Sequence, residues 1–347
     1  MSDNATPPVG HARLRLQNFT AFEDCTLEFV PGINVFVGEN GTGKTHAMKA
    51  LYASTSIWHA ASASRQVPSI LELIGDLFQS TGTGGVVRLG APSGVATVSG
   101  NYQSETWEFV TDPAGAIATA KPQNLKVERP VFIPAIDMIG HSKGFLEAYR
   151  EVRLDFDSTC VDIVSLLRLE KKDKSKLNGA TDKLSEVLGG NLERDDDGRF
   201  YITTPTGRLA MPMVAEGIRK IATIIQLYRN GWLVPGTTLF WDEPEVNLNP
   251  ILMDELVAAL LEISRSGVQI FLATHSYVIL KELDLQADAD DSVCYFAFQS
   301  TPSGTTVDST LDLSQLAPNP ILAQYDSLYD REITRSTGRN RQGERIR

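Results

Sequence analysis

The chain has 347 residues, 42% of them hydrophobic and 22% charged, which allows one large domain or two ordinary ones. Its formal net charge of −11 excludes a generally basic nucleic-acid binder, so any DNA contact has to use a local patch. The cysteines Cys25, Cys160 and Cys294 share no metal-ligand spacing, the start lacks a secretory pattern, and no apolar run approaches the roughly 18 residues that cross a bilayer, so a reduced, cytoplasmic, non-membrane protein is expected.

Residues 1–10 read as an unstructured lead. From His11 to Phe19 the chain alternates, with Leu14 and Leu16 on one side and Arg13, Arg15 and Gln17 on the other. Cys25, Leu27 and Phe29 repeat the pattern, predicting two antiparallel edge strands. Pro31-Gly32 turns the chain into the apolar strand Ile33 to Val37.

The next residues carry the strongest signal. Gly38, Gly43, Lys44 and Thr45 fit a phosphate loop, between that strand and a helix predicted from Thr45 to Ser54. Glycines let backbone N–H groups curl around phosphate oxygens, and the helix start adds about half a positive charge. Gly38, Asn40, Gly41, Thr42, Gly43, Lys44 and Thr45 are therefore the candidate nucleotide-binding residues. Lys44 would reach the β- and γ-phosphates, and the Thr45 hydroxyl would hold Mg²⁺.

A second helix is predicted over Ile70 to Phe78, then a small antiparallel subsheet between Gly82 and Thr119. Pro130 to Ala135 should return to the main sheet, leaving Asp137 at a strand end, as a ligand sensor or a helix cap. The segment 141–213 is expected to hold helices at Leu146 to Val152 and Cys160 to Leu169. It also holds a charge run from Lys171 to Lys176, a solvated loop or a phosphate-backbone contact, and a hairpin turn at Asp195 to Gly198.

Ala215 to Gly231 has helical spacing of Ile218, Ile221, Ile225 and Tyr228. Thr237 to Trp241 is a buried strand ending in Asp242-Glu243-Pro244-Glu245. A strand ending in two acids is the usual complement of a phosphate loop. Asp242 would take the Mg²⁺ shell, and Glu243 would orient or deprotonate the attacking water. A helix follows over Pro250 to Ser264, then a strand over Val268 to Ala273 that leads into His275, a candidate γ-phosphate sensor. Closing strands (Val293 to Phe298, Thr305 to Leu311), a last helix (Pro320 to Arg335) and an arginine-rich tail complete the chain.

These motifs carry a resemblance. Leu14 to Thr45, Leu239 to Pro250 and Phe271 to Ser276 resemble the opening, the Walker B and D-loop, and the switch-histidine segment of ABC-type ATPases of the SMC, RecF and OLD branch. The resemblance implies an α/β fold, a P-loop NTPase of the ABC-ATPase head type. A mainly parallel core sheet would be joined by an antiparallel edge subsheet and a helical lobe. The chain would be one domain. Residues 11–140 form its first half, 141–213 an insertion, 214–335 the second half and 336–347 a basic tail.

The resemblance further implies ATP and Mg²⁺ as cofactors, with Glu243, His275 and Lys44 as catalytic residues and Thr45 and Asp242 at the metal. It also implies a homodimer that sandwiches two nucleotides. By position the signature segment is Val214 to Lys220, with Gly217 facing the partner's γ-phosphate, but Ala215 lacks the usual hydroxyl. Arg219 or Lys220 would compensate, or would lie on the helix's wet face.

No sustained heptads separate the two halves, and the stretch after His275 is short for a further domain, so the output is expected from a separate effector. The expected role is a slow ATPase, the motor or sensor of a DNA-repair or antiphage-defence-type system, with weak DNA contact at most. The alternatives are an ATP-bound scaffold and, set against the SMC-like opening, a transporter subunit.

Overall fold

The computed structural model describes residues 10–63, 69–80, 83–112, 115–118, 126–152, 154–171 and 182–337. The lead at 1–9, most of the charge run after Lys171 and the tail from residue 338 lie outside them. In chain order the elements are β1 (His11–Phe19), β2 (Phe22–Glu28), β3 (Ile33–Gly38), α1 (Lys44–Ser62) and α2 (Ile70–Leu77). Next come β4 (Ala96–Tyr102), β5 (Glu105–Asp112), β6 (Gly115–Ala118) and β7 (Val131–Ile133). The middle holds α3 (Phe145–Val152), α4 (Ser158–Arg168), α5 (Asp182–Val187), β8 (Asn191–Arg194), β9 (Phe200–Thr204) and β10 (Gly207–Ala210). The second half is α6 (Glu216–Arg229), β11 (Thr238–Asp242), α7 (Met253–Arg265), β12 (Gln269–Thr274), α8 (Tyr277–Gln286), β13 (Val293–Thr301), β14 (Gly304–Thr310) and α9 (Pro320–Thr337).

Among the described residues the strands form three sheets. The core sheet runs β14-β13-β3-β12-β11-β7, parallel except for the β13–β14 pair. Both its faces are covered, so its central strands are apolar throughout, yet they still alternate. Phe36, Phe132, Phe240, Phe271 and Phe296 point to one side, where they pack with α1 and the antiparallel sheet. Ile33, Val35, Ile133, Trp241, Ile270 and Leu272 point to the other, toward α4, α6, α7 and α8. The phenyl rings of Phe240 and Phe271 stack with centroids 5.1 Å apart.

Two expectations change. The predicted edge pair and subsheet form one antiparallel sheet, β2-β1-β4-β5-β6, because β4 pairs along β1. The phosphate-loop helix does not stop at Ser54. Ser54 and Thr55 donate their hydroxyls back to the Leu51 carbonyl at 2.8 Å, and the helix continues so that Trp58 packs on Tyr102 and Trp107. The Asp195 to Gly198 hairpin forms as predicted, between β8 and β9, and β10 extends it.

The two large sheets meet at a polar seam. The Gln269 side chain accepts the His11 N–H at 2.7 Å and donates to the carbonyls of His11 and Val30, both at 2.8 Å. The His11 ring is buried beside it, with Nε2 2.7 Å from the Thr55 hydroxyl.

Burial pushes the His11 imidazole down to about 3, against an ordinary value of 6.5. The unfolded chain therefore binds a proton that the folded chain refuses. The stability this contributes is full above pH 6.5 and is lost as pH falls toward 3. In denaturant titrations from pH 7 to 4, wild type should lose stability more steeply than His11→Gln, by up to about 1.4 kcal/mol per pH unit. Equal slopes would show that the His11 site charges freely.

Candidate functional site

The parallel register brings the functional residues to one edge. Val37 pairs with Thr274 and Asp242 with Ala273, so the ends of β3, β12 and β11 lie side by side. Strand ends of a parallel sheet are where such folds place their ligands.

At the end of β3, Gly41 and Gly43 take left-handed φ values of 80° and 91°. A Cβ on Gly43 would sit 2.8 Å from the Phe22 ring, whereas one on Gly41 would meet nothing within 4 Å. Thr42 is buried and donates to the Glu39 carbonyl at 2.9 Å, and Asn40 is exposed. Lys44 folds back, its Nζ donating to the carbonyls of Gly38 and Glu39 at 2.9 and 2.8 Å. The α1 start has no capping side chain and no acid in its first turn. Its N–H groups and the positive-φ glycines fit an anion.

Across 197 residues, the Thr45 hydroxyl donates to Asp242 Oδ2 at 2.9 Å. This pair of hard oxygens fits Mg²⁺. Glu243 has a left-handed φ of 47°, rare for a residue with a side chain. Its N–H donates to the Ala273 carbonyl at 2.9 Å. Its own carbonyl accepts from Lys220 Nζ at 2.8 Å and from the Val246 N–H at 3.2 Å. Its carboxylate Oε1 lies 3.4 Å from His275 Nε2. Glu245 Oε1 accepts the His275 backbone N–H at 2.5 Å. The catalytic candidates Lys44, Glu243 and His275 thus share one edge with Thr45 and Asp242.

Burial, then the positive charge of Lys44, holds His275 below its usual range, against the pull of Glu243 and Glu245. The imidazole is accordingly neutral at neutral pH. Burial also lowers the Lys44 ammonium, opposed by Asp242, Glu243 and Glu245. Burial drives Asp242 up to about 6, with Glu243 adding and Thr45 and Lys44 opposing.

The signature segment departs from expectation. Lys220 is buried at 3% exposure, and Arg219 pairs with the buried Asp137 at 3.1 Å, so neither lies on a wet face. Asp137 forms the ion pair with Arg219 and caps no helix. Gly217 is buried, and a Cβ there would stand 2.6 Å from the Asn247 carbonyl. Its lack of a side chain serves this close approach within its own chain. Ala215 is exposed at the helix start and Glu216 half-buried. Sequence reasoning gave Glu245 no role, and read Lys220 as compensating for Ala215 or lying on the wet face, not as a buried donor to the Glu243 carbonyl.

Comparison with known proteins adds two family profiles. One, described as "AAA domain, putative AbiEii toxin, Type IV TA system", matches residues 146–281. The other, "AAA domain", matches residues 13–56. The chain is 41% identical over 54 residues to the DNA replication and repair protein RecF of Bifidobacterium adolescentis, which is 15% of this chain and 13% of that protein. The RecF protein of Acidothermus cellulolyticus is 48% identical over 40 residues, 12% of this chain and 11% of its own. The chain thus spans only a small part of these relatives.

Among solved structures, an SMC head bound to the C-winged helix domain of ScpA matches with TM-score 0.55 at 12% identity, covering 88% of this chain and 99% of that one. An SMC head with an extended coiled coil, bound to the C-terminal domain of ScpA derived from Pyrococcus furiosus, matches with TM-score 0.55 at 10% identity, covering 92% and 99%. The fold is that of SMC heads. No helix among the described residues is long and apolar enough to cross a membrane.

A raised Asp242 makes the ligand-free fold more stable when that carboxyl is neutral. The associated stability is present at pH 4 and lost as pH rises through about 6. Asp242→Asn should therefore melt higher than wild type at pH 7.5 without nucleotide, the gap closing at pH 4. A lower melting point at pH 7.5 would show that this carboxylate stabilises the empty site.

Proposed function

We propose that this chain, an ABC-type ATPase head of the SMC and RecF branch, hydrolyses ATP slowly at a site that a second copy completes. The observation that carries the proposal is the Thr45–Asp242 hydrogen bond beside an uncapped phosphate-loop helix, with Glu243 and His275 next to it. Thr45 and Asp242 would hold Mg²⁺, which when bound would supply positive charge against the developing charge of the phosphates. Lys44 exchanges its two backbone carbonyls for phosphate oxygens. Gly38, Asn40, Gly41, Thr42 and Gly43 wrap the phosphates with N–H groups. Glu243 accepts the proton of the attacking water, and neutral His275 donates a hydrogen bond to the γ-phosphate.

The second copy's share is the start of α6, with Gly217 giving the helix end its close seat. The exposed Ala215 offers no hydroxyl there, which suits a slow rate. The profile description of one matched family and the RecF likeness support a role as motor or sensor in a defence-type or DNA-repair system, in the cytoplasm, with a separate effector. DNA contact would be weak and salt-sensitive.

Released phosphate tests the proposal. Wild type should turn over ATP with Mg²⁺, while Lys44→Ala loses binding and Glu243→Gln retains it but drops turnover by about 100-fold or more. Size measurement of Glu243→Gln with ATP should give dimers, and Lys44→Ala monomers. Activity that survives both substitutions defeats the assignment. ATP bound without turnover in wild type favours the scaffold instead.

A further inference from the structure

Lys220 is a buried cation on α6, five positions into the helix that begins at Glu216. Among the described residues its ammonium pairs with no carboxylate at hydrogen-bond distance. It donates 2.8 Å to the main-chain carbonyl of Glu243, 23 residues away. Four acids, Glu245, Glu216, Glu243 and Asp137, surround it by charge. Burying an ammonium costs stability, so a lysine held on one main-chain carbonyl points to a role for that contact.

The carbonyl belongs to the residue with the left-handed φ of 47°. The Glu243 peptide is gripped from both sides, by the Ala273 carbonyl on its N–H and by Lys220 on its C=O. Its side chain then reaches toward His275, whose own N–H is fixed by Glu245. The neighbouring Arg219 locks the same turn of α6 to Asp137.

We propose that Lys220 is a positioning residue for Glu243, fixing through the Glu243 carbonyl the direction in which that carboxylate points. The proposal rests on the ATPase reading above. It adds that the start of α6, which faces the second copy in that reading, bears on the first copy's own water-orienting acid. Lys220 acts through the Glu243 carbonyl, so removing it should lower the rate of the chemical step and spare nucleotide affinity.

The test uses the full chain with Mg-ATP, measuring kcat, KM and binding of a fluorescent ATP analogue. Lys220→Met should lower kcat by about tenfold or more, with KM and analogue affinity within about threefold of wild type. Lys220→Arg, which keeps a donor, should recover most of the lost rate. Adding Lys220→Met to Glu243→Gln should lower kcat no further, since both act through one group. If the Met variant is insoluble, Lys220→Ala, which likewise removes the donor, carries the same readings.

A wild-type rate in Lys220→Met overturns the proposal. So does a joint loss of kcat, affinity and melting temperature in both the Met and Arg variants, which marks general packing. If wild type itself does not hydrolyse ATP, the ATPase reading fails, and with it this inference. If wild type is active, Glu243→Gln is dead and Lys220→Met is unimpaired, only the positioning role fails.

Discussion

The site depends on the parallel register of three strands. β12 pairs with β3 on one side and β11 on the other, with Val37 opposite Thr274 and Ala273 opposite Asp242. A slip of one residue would turn Asp242 from its place and exchange the two buried faces of every strand. That slip is prevented from below. The phenylalanines of one face stack with each other, and the aliphatic residues of the other pack on helices of different shape, so no second register buries both sets as well.

Above this frame the chain keeps groups that weaken the fold. Asp242 is held where burial opposes its charge, Lys44 and Lys220 are largely buried cations, and Glu243 takes a backbone conformation that costs an ordinary residue about 1 kcal/mol or more. Each cost falls on the nucleotide edge. The conflicts offset one another when the cations and acids face each other across a few ångströms. A metal with phosphates would complete the balance, because it brings both signs of charge.

Much of this was legible in the sequence because the signals are local. The glycine pattern, the strand ending in two acids and the strand leading to His275 each stand within a dozen residues, and period-two alternation marked Leu14, Leu16, Cys25 and Leu27 as buried. What was missed needs distant pairing. The joining of β4 to β1 depends on Leu14 meeting Gly100, which no local pattern encodes. The extra turns of α1 follow from the tryptophan and tyrosine they cover, against weak local propensity. Lys220 is different, for its signal was present: it stands four residues before Ile224, on the stripe that buries Gly217, Ile221 and Ile224. A cation on an apolar stripe asks for a buried acceptor, and here that acceptor is a carbonyl.

The Gln269 amide imitates a missing strand, since it bonds the His11 peptide through both N–H and C=O as a sheet neighbour would. It is also the first residue of β12, whose last is Thr274, next to His275. A six-residue strand spans about 20 Å. The antiparallel sheet is thereby riveted to one end of a stiff rod whose far end leads into His275, so a single strand ties the position of that sheet to the edge where the phosphate loop ends.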